Sequence, residues 1–480
     1  MASHPSSNYA RQSGLSPAAT TWAQTSLHAR LRVLARARHL LADCEDALIA
    51  ATPAELVRTP ADTLVAELLP LLEAMRFLER EAASILRPRR PGRRGLPLWL
   101  TGITSEVQRV PLGTVLIIGP SNYPLLLPGV QAMQALAAGN TVVWKPGRGG
   151  GPMAAIVANA LYDAGLPQSA LTITEDSVEA AEQALARGAD KVIFTGSATA
   201  GRAVMTRLAG TATPCVMELS GCDAVVVTES AELDLVVRAL CFGLRLNGSA
   251  TCMAPRRIFL TQGAEAKREA LVQQLRAALP MLPAVPLPSA VQIQLQSLVQ
   301  QAVDAGATAH GSVLPQQPAL LLTGVTPAMA VAQADLFAPV LMLMEPLEAT
   351  DLADAIAACP YRLTVSLFGR EAEARRLAER LSCGSVLIND MIAPTADPRM
   401  PFGGRGQSGF GVTRGAEGLL EMTAPRVLQV RRGGSMRHLQ PTTSAHQALL
   451  GGLVRMLHGA GWRARWNGCL RMIQAAAKLR

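Results

Sequence analysis

The sequence predicts an α/β protein with a doubly wound parallel sheet, an architecture typical of nucleotide-binding proteins. Strand and helix patterns alternate from Val115 to Asn389, and such alternation produces right-handed crossovers between parallel strands. The composition agrees, because 49% of the residues are hydrophobic and only 4% are aromatic, as expected when aliphatic helices cover a buried sheet. With 480 residues, the chain is long enough for two or three domains.

The elements before the alternating region are predicted to be mostly helical. Residues 1–20 are polar and contain several Ser and Pro residues, which predicts a disordered N-terminus. Apolar residues at helical spacing follow from Leu31 to Leu78 and predict two or three helices. An Arg- and Pro-rich connector covers 87–95, and 97–112 is predicted to be extended.

Short apolar runs and amphipathic stretches then predict two successive α/β blocks. The first block has predicted strands at 115–118, 141–144, 171–174, 191–194 and one ending near Glu218, with helices at 129–138, 151–164, 177–187 and from 199. The second block has predicted strands at 224–227, 257–260, 319–323, 340–344, 364–368 and 385–389, with helices at 231–246, 264–279, 288–304, 350–358 and 370–381.

The charge and the cysteines exclude several classes of protein. The net charge of +9 comes from arginines clustered at 87–94 and near the C-terminus, but no nucleic-acid motif accompanies them, so we expect no nucleic-acid binding. The eight cysteines form no CxxC pair and have no histidines at zinc-like spacing, so we expect no metal site and reduced thiols. No secretory signal is visible at the N-terminus, and a cytoplasmic location is therefore expected.

One thiol lies in a loop of small residues that suits a nucleophile. Cys252 lies within Asn247-Gly-Ser-Ala-Thr-Cys252, and Glu218 ends a predicted strand upstream. A nucleophilic thiol needs room for a carbonyl group and a nearby base. Taken alone, Cys252 is more often a buried small apolar residue than a nucleophile, Glu218 a surface carboxylate, and Asn122 an amide that caps a loop.

Eight motifs in order give these residues a common context, and in type and spacing they resemble the aldehyde dehydrogenase superfamily over about residues 25–430. Asn389-Asp390 and the basic, hydrophobic tail are most similar to the class 3 branch, which includes fatty aldehyde dehydrogenases. The motifs are Gly119-Pro-Ser-Asn122, Trp144-Lys145-Pro, Phe194-Thr-Gly-Ser-Ala-Thr-Ala-Gly201, Met217-Glu218-Leu-Ser-Gly, Asn247-Gly-Ser-Ala-Thr-Cys252, Asp335-Leu-Phe337-Ala-Pro339, Ile388-Asn389 and Pro401-Phe-Gly-Gly-Arg-Gly-Gln-Ser-Gly409.

The resemblance implies oxidation of an aldehyde, apolar by expectation, to its carboxylic acid with NAD or NADP. Cys252 would attack the aldehyde carbon, and the Asn122 amide with the Cys252 backbone N–H would stabilise the oxyanion. Glu218 would activate the water that hydrolyses the thioester. Two alternatives stay open: a CoA-linked acyl reductase of the same superfamily, which Glu218 argues against, and a catalytically silent membrane-associated scaffold, which all three residues argue against.

The cofactor residues follow the family less closely. Arg148 stands where the family pattern has a Glu that binds the adenosine ribose, which favours acceptance of NADP; alternatively Arg148 points into solvent. Asp335 replaces the Glu that holds the nicotinamide ribose and is one methylene shorter. The residues implied to bind the cofactor are Lys145, Arg148, Gly196, Ser197, Gly201, Asp335 and Phe337.

The domain organisation implied by the resemblance includes a small oligomerisation sheet, and we expect a homodimer or a higher homo-oligomer. The tail after Val430 has no acidic residue and interleaves Leu and Trp with Arg. It fits either an amphipathic helix on an anionic inner membrane surface or a terminal helix packed on protein. The expected regions are 1–20 (disordered), 21–218 (N-terminal helices and cofactor domain, with 97–112 in the oligomerisation sheet), 219–405 (catalytic domain), 406–433 (return segment and oligomerisation strand) and 434–480 (basic tail).

Overall fold

The computed structural model describes residues 17–56, 58–97, 100–345, 351–432, 439 and 441–477. The chain forms two compact units. The first contains the chain up to residue 88 together with 108–426, and the second contains 89–107 together with 427–480. The predicted functional residues all lie in the first unit.

The helices and strands follow the predicted alternation closely. The helices are α1 (Pro17–Gln24), α2 (Leu27–Ala42), α3 (Glu45–Ala50), α4 (Pro60–Thr63), α5 (Leu69–Ile85), α6 (Leu126–Ala138), α7 (Gly151–Asp163), α8 (Val178–Arg187), α9 (Ala198–Ala209), α10 (Leu233–Arg245), α11 (Arg268–Ala278), α12 (Ser289–Asp304), α13 (Leu352–Ala357), α14 (Glu371–Ala378), α15 (Gly415–Glu421), α16 (Ser444–His458) and α17 (Gly461–Ala477). The strands are β1 (Ile103–Pro111), β2 (Thr114–Ile118), β3 (Thr141–Lys145), β4 (Leu171–Ile173), β5 (Lys191–Gly196), β6 (Cys215–Leu219), β7 (Asp223–Val227), β8 (Pro255–Leu260), β9 (Val285–Pro286), β10 (Thr308–His310), β11 (Gln316–Gln317), β12 (Leu320–Val325), β13 (Val340–Met344), β14 (Tyr361–Arg362), β15 (Thr364–Phe368), β16 (Ser385–Ile388), β17 (Arg405–Gly406), β18 (Gly409–Phe410) and β19 (Thr423–Arg431).

Two largely parallel sheets form the framework of the first unit. The first sheet has the strand order β18-β6-β5-β2-β3-β4, and only β18 runs antiparallel to its neighbour. The second has the order β10-β12-β13-β8-β7-β15-β16, with β10 antiparallel. The predicted doubly wound α/β class is therefore confirmed.

The N-terminal helices cover one face of the first sheet. Helices α2 and α5 pack on each other and on α6, with Leu34, Leu71 and Met75 fully buried at helical spacing. A π-helical stretch, Leu64–Leu68, leads directly into α5. These helices bring the segment around residue 60 close to the loop that precedes α6.

The structure corrects the prediction of disorder for residues 1–20. Residues 1–16 lie outside the described part of the chain, but helix α1 begins at Pro17, so the prediction is wrong for residues 17–20. Proline is well tolerated in the first helical turn because that turn has no intrahelical use for its N–H. Trp22 fixes the helix: its ring is buried, and its Nε1–H donates to the Leu136 carbonyl at 3.1 Å.

The second unit contains a strand pair and the C-terminal helices. Strands β1 and β19 pair in a two-stranded sheet, extended by the hydrogen bond from Arg432 N to Gly102 O. The tail forms a hairpin of α16 and α17, not the single amphipathic helix that we predicted. Helix α16 ends before Gly459, and Gly461 adopts a positive φ of 75° that reverses the chain. None of the described helices is long and apolar enough to cross a membrane.

Candidate active site

The loop before Cys252 has a backbone conformation that few sequences tolerate. Helix α10 ends at Arg245, and Asn247, Gly248 and Ser249 then have positive φ values of 53°, 56° and 63°. Only glycine adopts this left-handed region freely, and asparagine does so more readily than other residues. The loop therefore needs outside contacts to hold it, and its side chains supply them.

Arg256 fixes this loop to the segment that carries Asp335. Its buried guanidinium donates from Nη2 to the Ser249 carbonyl at 2.8 Å and from Nη1 to the Ser249 hydroxyl at 2.8 Å. Its Nε–H donates to the Leu336 carbonyl at 3.0 Å. Burial lowers the pKa of Arg256 to about 10, which still leaves it cationic at neutral pH. The Arg256 guanidinium thus stabilises the turn formed by Asn247, Gly248 and Ser249.

Glu218 is the second-last residue of strand β6 in the first sheet, and it lines the same cavity as Cys252. Its carboxylate is almost fully buried, and its Oε2 accepts a hydrogen bond from the Thr413 hydroxyl at 3.4 Å. Its Oε1 has no hydrogen-bond partner among the described residues. Three residues after Glu218, a Cβ on Gly221 would lie 2.4 Å from the Cys252 carbonyl oxygen. Only glycine therefore allows the two backbones to approach this closely.

Cys252 and Glu218 line one cavity, which is mostly apolar. Its volume is about 510 Å³, and its mouth is marked by Val65 and Leu69, which are 64% and 55% exposed. The remaining lining residues are mainly aliphatic or aromatic: Ala61, Ala66, Pro70, Tyr123, Leu126, Leu127, Phe242, Leu246, Met253, Ile392, Ala393, Ala396, Pro398 and Phe402, with the polar residues Asp62, Glu73, Arg245, Thr395 and Arg414.

Arg414 is the buried cation of this cavity. Its backbone has a positive φ of 62°, its Nη1 donates to the Thr395 carbonyl at 2.5 Å, and its Cζ lies 4.9 Å from the centroid of the Phe402 ring. The guanidinium is 7% exposed. Because few other charges and little water surround it, its field acts strongly on the neighbouring thiol and carboxylate.

Burial dominates the acid–base properties of both reactive groups. It raises the pKa of the Cys252 thiol well above the usual range; the Glu218, Asp223 and Asp335 carboxylates raise it further, while Arg414 lowers it. Burial also raises the pKa of Glu218, and Arg414 and the Thr413 hydroxyl lower it. A carboxylate with a raised pKa is a stronger base than an exposed one, as water activation near neutral pH requires.

Asn122 lies between the apolar cavity and a second, more polar one. Its neighbour Tyr123 lines the apolar cavity, and Ser121 lines the other. The Asn122 Nδ2 donates to the Ala250 carbonyl at 2.9 Å, two residues before Cys252. The structure therefore brings Asn122 against the thiol loop, with one amide hydrogen engaged by that loop.

The second cavity has a volume of about 850 Å³ and contains four of the predicted cofactor residues. Lys145, Arg148, Gly196 and Ser197 all line it. Ser197 caps α9, its hydroxyl accepting from Ala200 N at 3.2 Å, and both residues line the cavity. The N-terminus of a helix at this wall suits a pyrophosphate. These residues fit a nicotinamide dinucleotide.

The environments of Lys145 and Arg148 differ. Lys145 is buried, and its pKa is lowered by burial and by Arg148, while Asp176 raises it. Arg148 is exposed at the rim of the cavity. Gly147 between them has a packing role, because a Cβ there would lie 2.0 Å from the Pro120 carbonyl oxygen.

Three predicted cofactor residues line neither of these cavities in the described structure. Gly201 is buried in α9, where a Cβ would lie 2.6 Å from Leu219 Cδ2, so its missing side chain serves helix–sheet packing. Asp335 accepts a hydrogen bond from the Ser220 side chain, has a pKa raised by burial, and has an Oδ1 without a described partner. Phe337 is half-buried on the same segment. Their cofactor roles stay predictions.

Sequence reasoning assigned no role to Arg58, Arg256 or Arg414. All three are arginines whose guanidinium groups are buried against backbone carbonyls or aromatic rings. The only sequence feature that could have indicated Arg256 is its position inside the apolar strand β8. Among the described residues, no group of three or more His, Cys, Asp or Glu side chains is placed to hold a metal ion.

Two doubly wound sheets, with a dinucleotide-sized cavity next to a thiol and a carboxylate, define a nicotinamide-dependent oxidoreductase. The model of the aldehyde dehydrogenase family matches residues 8–428. A relative, 4,4'-diapolycopene aldehyde oxidase from Methylomonas sp., is 30% identical over 85% of this chain and 78% of its own length. The chain belongs to the aldehyde dehydrogenase family, and it oxidises an aldehyde to the carboxylic acid with NAD or NADP.

Two further comparisons agree with this assignment. Aldehyde dehydrogenase family 3 member A2 from Mus musculus is 26% identical, with 81% of each chain covered. The crystal structure of the NADP-dependent glyceraldehyde-3-phosphate dehydrogenase from Bacillus halodurans C-125 in complex with NADP is similar with a TM-score of 0.77 and 26% identity, covering 86% of this chain and 89% of that one. The predicted resemblance, including its class 3 character, is confirmed.

Proposed function

We propose that the substrate is a long apolar aldehyde that enters the cavity lined by Val65 and Leu69 and reaches Cys252. This proposal rests on the cavity at Cys252. Its volume is about 510 Å³, and most of its lining residues are aliphatic or aromatic. The substrate in the name of the Methylomonas relative, a diapolycopene aldehyde, is consistent with it.

Cys252 is the nucleophile of this proposal. Its sulfur bonds to the aldehyde carbon while the carbonyl oxygen takes up the negative charge, which the Cys252 N–H and the second amide hydrogen of Asn122 stabilise. Because burial raises the pKa of the thiol, the thiol must lose its proton before or during attack, and Arg414 is the nearby cation that favours the thiolate. When bound, the nicotinamide cofactor supplies the hydride acceptor that allows a Cys252 thioester to form.

Glu218 is the general base for hydrolysis of that thioester. Its unpartnered Oε1 is available to accept a proton from a water molecule as the water oxygen attacks the acyl carbon. The carbon–sulfur bond then breaks, the acid leaves, and Cys252 is regenerated. The apolar walls of the cavity exclude competing nucleophiles from the intermediate.

For the cofactor, Lys145 and the N-terminus of α9 would hold the adenosine ribose and the pyrophosphate. We propose that Arg148 allows NADP as well as NAD, because a guanidinium at the cavity rim can pair with a 2′-phosphate where a carboxylate would repel it. Gly201, Asp335 and Phe337 would contact the bound cofactor where it extends from this cavity toward the Cys252 loop.

A series of alkanals of increasing chain length tests the substrate proposal. Each methylene that enters an apolar cavity contributes about 0.8 kcal/mol, so kcat/KM should rise about fourfold per methylene until the cavity is full. Ala66→Phe fills the cavity and should end this rise at a shorter chain, whereas Ile293→Phe, at an exposed position that lines neither cavity, should not. A flat dependence on chain length in the unmodified protein would refute the proposal, and Cys252→Ala should abolish activity throughout.

We propose a homodimer or higher homo-oligomer that uses the β1–β19 sheet. Three apolar side chains of β19, Val427, Leu428 and Val430, are exposed, and an isolated pair of strands is marginally stable in water. Replacing Val427 and Leu428 by Lys should reduce the mass measured by light scattering to that of a smaller species. An unchanged mass would place the interface elsewhere.

We also propose that the protein is cytoplasmic and attaches peripherally to the inner membrane surface through the α16–α17 hairpin. Small residues mediate the contact between the two helices: a Cβ on Gly452 would lie 2.6 Å from Met472 N, and one on Gly468 would lie 2.3 Å from Met456 N. Six large apolar side chains of the hairpin are exposed, while others, such as Leu453 and Leu457, are half-buried. The exposed ones are Leu450, Val454, Trp462, Trp466, Leu470 and Ile473.

Small residues at the contact between two helices, with large apolar side chains on the exposed faces, are typical of helices that pack in lipid. The chain has no acidic residue after Glu421, while Arg455, Arg463, Arg465 and Arg471 are exposed around the apolar side chains. Each Arg or Lys near an anionic surface contributes about 1 kcal/mol of attraction, and tryptophan favours the interface.

Co-sedimentation with vesicles tests the attachment. The full-length protein should bind vesicles that contain an anionic lipid, with binding weakened by salt, and Trp462→Ser/Trp466→Ser should lose most of it. Met281→Ser/Ile293→Ser removes two exposed apolar side chains outside the hairpin and should bind normally. Equal binding by both double variants would refute the proposal, and a lower mass of the Trp variant in light scattering would instead indicate a subunit contact.

A further inference from the structure

Arg58 and Glu67 form an ion pair with no exposed side-chain surface, next to the proposed active site. The Arg58 Nη1 lies 2.5 Å from the Glu67 Oε1, and both side chains are 0% exposed. Burial raises the pKa of Glu67, and Arg58 opposes that shift. An ion pair removed from water contributes little net stability compared with apolar residues of the same shape. Stability alone therefore does not explain why this pair is present.

The other donors of Arg58 go to the two loops that carry the proposed oxyanion donors. Its Nη2 donates to the Asn122 carbonyl at 2.6 Å, and its Nε donates to the Asn247 Oδ1 at 2.7 Å. Its Cζ also lies 4.8 Å from the centroid of the Tyr123 ring. Arg58 therefore contacts both Asn122 and the first residue of the left-handed turn before Cys252.

Glu67 binds the backbone that directly follows the Asn122 loop. Its Oε2 accepts hydrogen bonds from Leu125 N at 3.2 Å and Leu126 N at 2.6 Å, where α6 begins directly after the Asn122 loop. These N–H groups have no partner within the helix, so the carboxylate satisfies them and fixes the start of α6. The ion pair thus joins the beginning of α6, the Asn122 carbonyl and Asn247.

The two loops are also bonded to each other. The Asn247 Nδ2 donates to the Asn122 carbonyl and to the Ala250 carbonyl, both at 2.9 Å, and the Asn122 Nδ2 donates to the same Ala250 carbonyl at 2.9 Å. Arg58 orients Asn247 by occupying its Oδ1, which leaves the Nδ2 group to face the carbonyls. The rotation of the Asn122 amide relative to the Cys252 backbone depends on this network.

We propose that Arg58 and Glu67 are positioning residues for aldehyde oxidation, which hold the Asn122 amide and the Cys252 N–H at the fixed separation that an oxyanion requires. This inference rests on the proposed roles of Asn122 and Cys252. Preformed donors stabilise the developing charge because they need no reorganisation at the moment of reaction. A displacement of about 1 Å costs about a hundredfold in rate.

Arg58→Lys is the direct test, because lysine keeps the charge but cannot reach three separate acceptors with a planar group. The burst of reduced cofactor in the first turnover should slow about a hundredfold, with KM for the cofactor unchanged. The rate of Cys252 alkylation by iodoacetamide should stay near that of the unmodified protein, because alkylation of the thiol generates no oxyanion.

A second variant separates positioning from stability. Arg58→Met/Glu67→Leu replaces the pair by apolar side chains and should recover the melting temperature lost in Arg58→Met alone, without recovering the burst rate. Arg38→Lys is the matched control: Arg38 pairs with Glu79 between α2 and α5, about one-fifth exposed, and its variant should keep the full burst rate. Recovery of both stability and rate in the double variant would overturn the inference.

Asn122→Ala distinguishes a failure of the inference from a failure of the proposed function. If Asn122→Ala reacts at the normal burst rate, the oxyanion role of Asn122 is wrong and Arg58 has nothing to position. If Asn122→Ala is slow and a folded Arg58→Lys is not, the inference alone is wrong. When both are right, Arg58→Lys should slow the burst less in the Asn122→Ala background than in the unmodified protein, since part of its effect acts through the Asn122 amide.

Discussion

The two cavities of the first unit use charge in opposite ways. The cavity at Cys252 is lined almost entirely by apolar residues, and its deepest charged groups, Glu218 and Arg414, are nearly fully buried. The cavity at Lys145 has a rim of charges of both signs, including Arg148, which is exposed. Charges interact strongly in a dry environment and weakly at a hydrated surface. The first cavity is therefore suited to catalysis, and the charges of the second cavity are suited to modest changes in cofactor preference.

Replacing the buried base should give the largest effect of this contrast. In Glu218→Gln, hydrolysis of the thioester should slow by about 10²–10⁴-fold, while the first-turnover burst of reduced cofactor stays close to one per active site. Rapid-quench or stopped-flow measurement of burst and steady state separates the two. Glu229→Gln, an exposed carboxylate, serves as the control. Loss of the burst in Glu218→Gln would mean that Glu218 acts on the thiol before hydride transfer.

Removing the buried cation should shift the pH dependence. Arg414 lowers the pKa of both Glu218 and Cys252, so Arg414→Met should raise both values further. Glu218 acts as a base only when it is deprotonated, and the acid limb of the hydrolysis rate should therefore move to higher pH. Measurement of the steady-state rate after the burst, across pH, tests this expectation.

The conservative variant Arg414→Lys keeps the positive charge and should retain most of the normal profile. The charged groups that act on Cys252 include Glu218, Asp223 and Asp335 besides Arg414, so thiol alkylation should be followed in parallel. A limb that does not move, or moves to lower pH, would contradict the assigned role of Arg414.

Changing the exposed rim charge should have the smallest effect. Arg148→Glu should shift the ratio of kcat/KM values for NADP and NAD toward NAD by about fivefold, because an exposed charge pair contributes at most about 1 kcal/mol. The preference should weaken with added salt. Arg238→Glu makes the same charge change on the exposed side of α10 and should leave the ratio unchanged; an equal shift in both variants would assign the effect to net charge.

Short motifs in the sequence indicated the loops that line the polar cavity, but they did not indicate the side chains that support the thiol loop. Lys145, Arg148, Gly196 and Ser197 belong to short local motifs at strand ends, and the parallel sheet places strand ends along one edge. Strand boundaries such as Thr141–Lys145 follow directly from apolar runs bounded by Gly and Pro. Because short stretches of sequence determine these features, they can be predicted from one sequence alone.

The support of the thiol loop could not be predicted in this way. An arginine in a sequence normally indicates a solvated surface, and Arg58 and Arg256 are buried only because carbonyl groups from distant segments surround them. The helical hairpin was missed for a related reason. Its helices approach each other at Gly452 and Gly468, which carry no hydrophobic signal, while several of the apolar residues that suggested one amphipathic helix are exposed.

The bond between Arg58 and Asn247 joins positions that are 189 residues apart in the chain. During synthesis the N-terminal helices and strands β2 to β6 of the first sheet emerge before residue 247, so Arg58 at first lacks its Asn247 acceptor. The left-handed turn before Cys252 can form only when it docks on this preassembled partner, because loop closure over such a distance is entropically costly. We therefore expect the reactive thiol to acquire its final geometry among the last steps of folding.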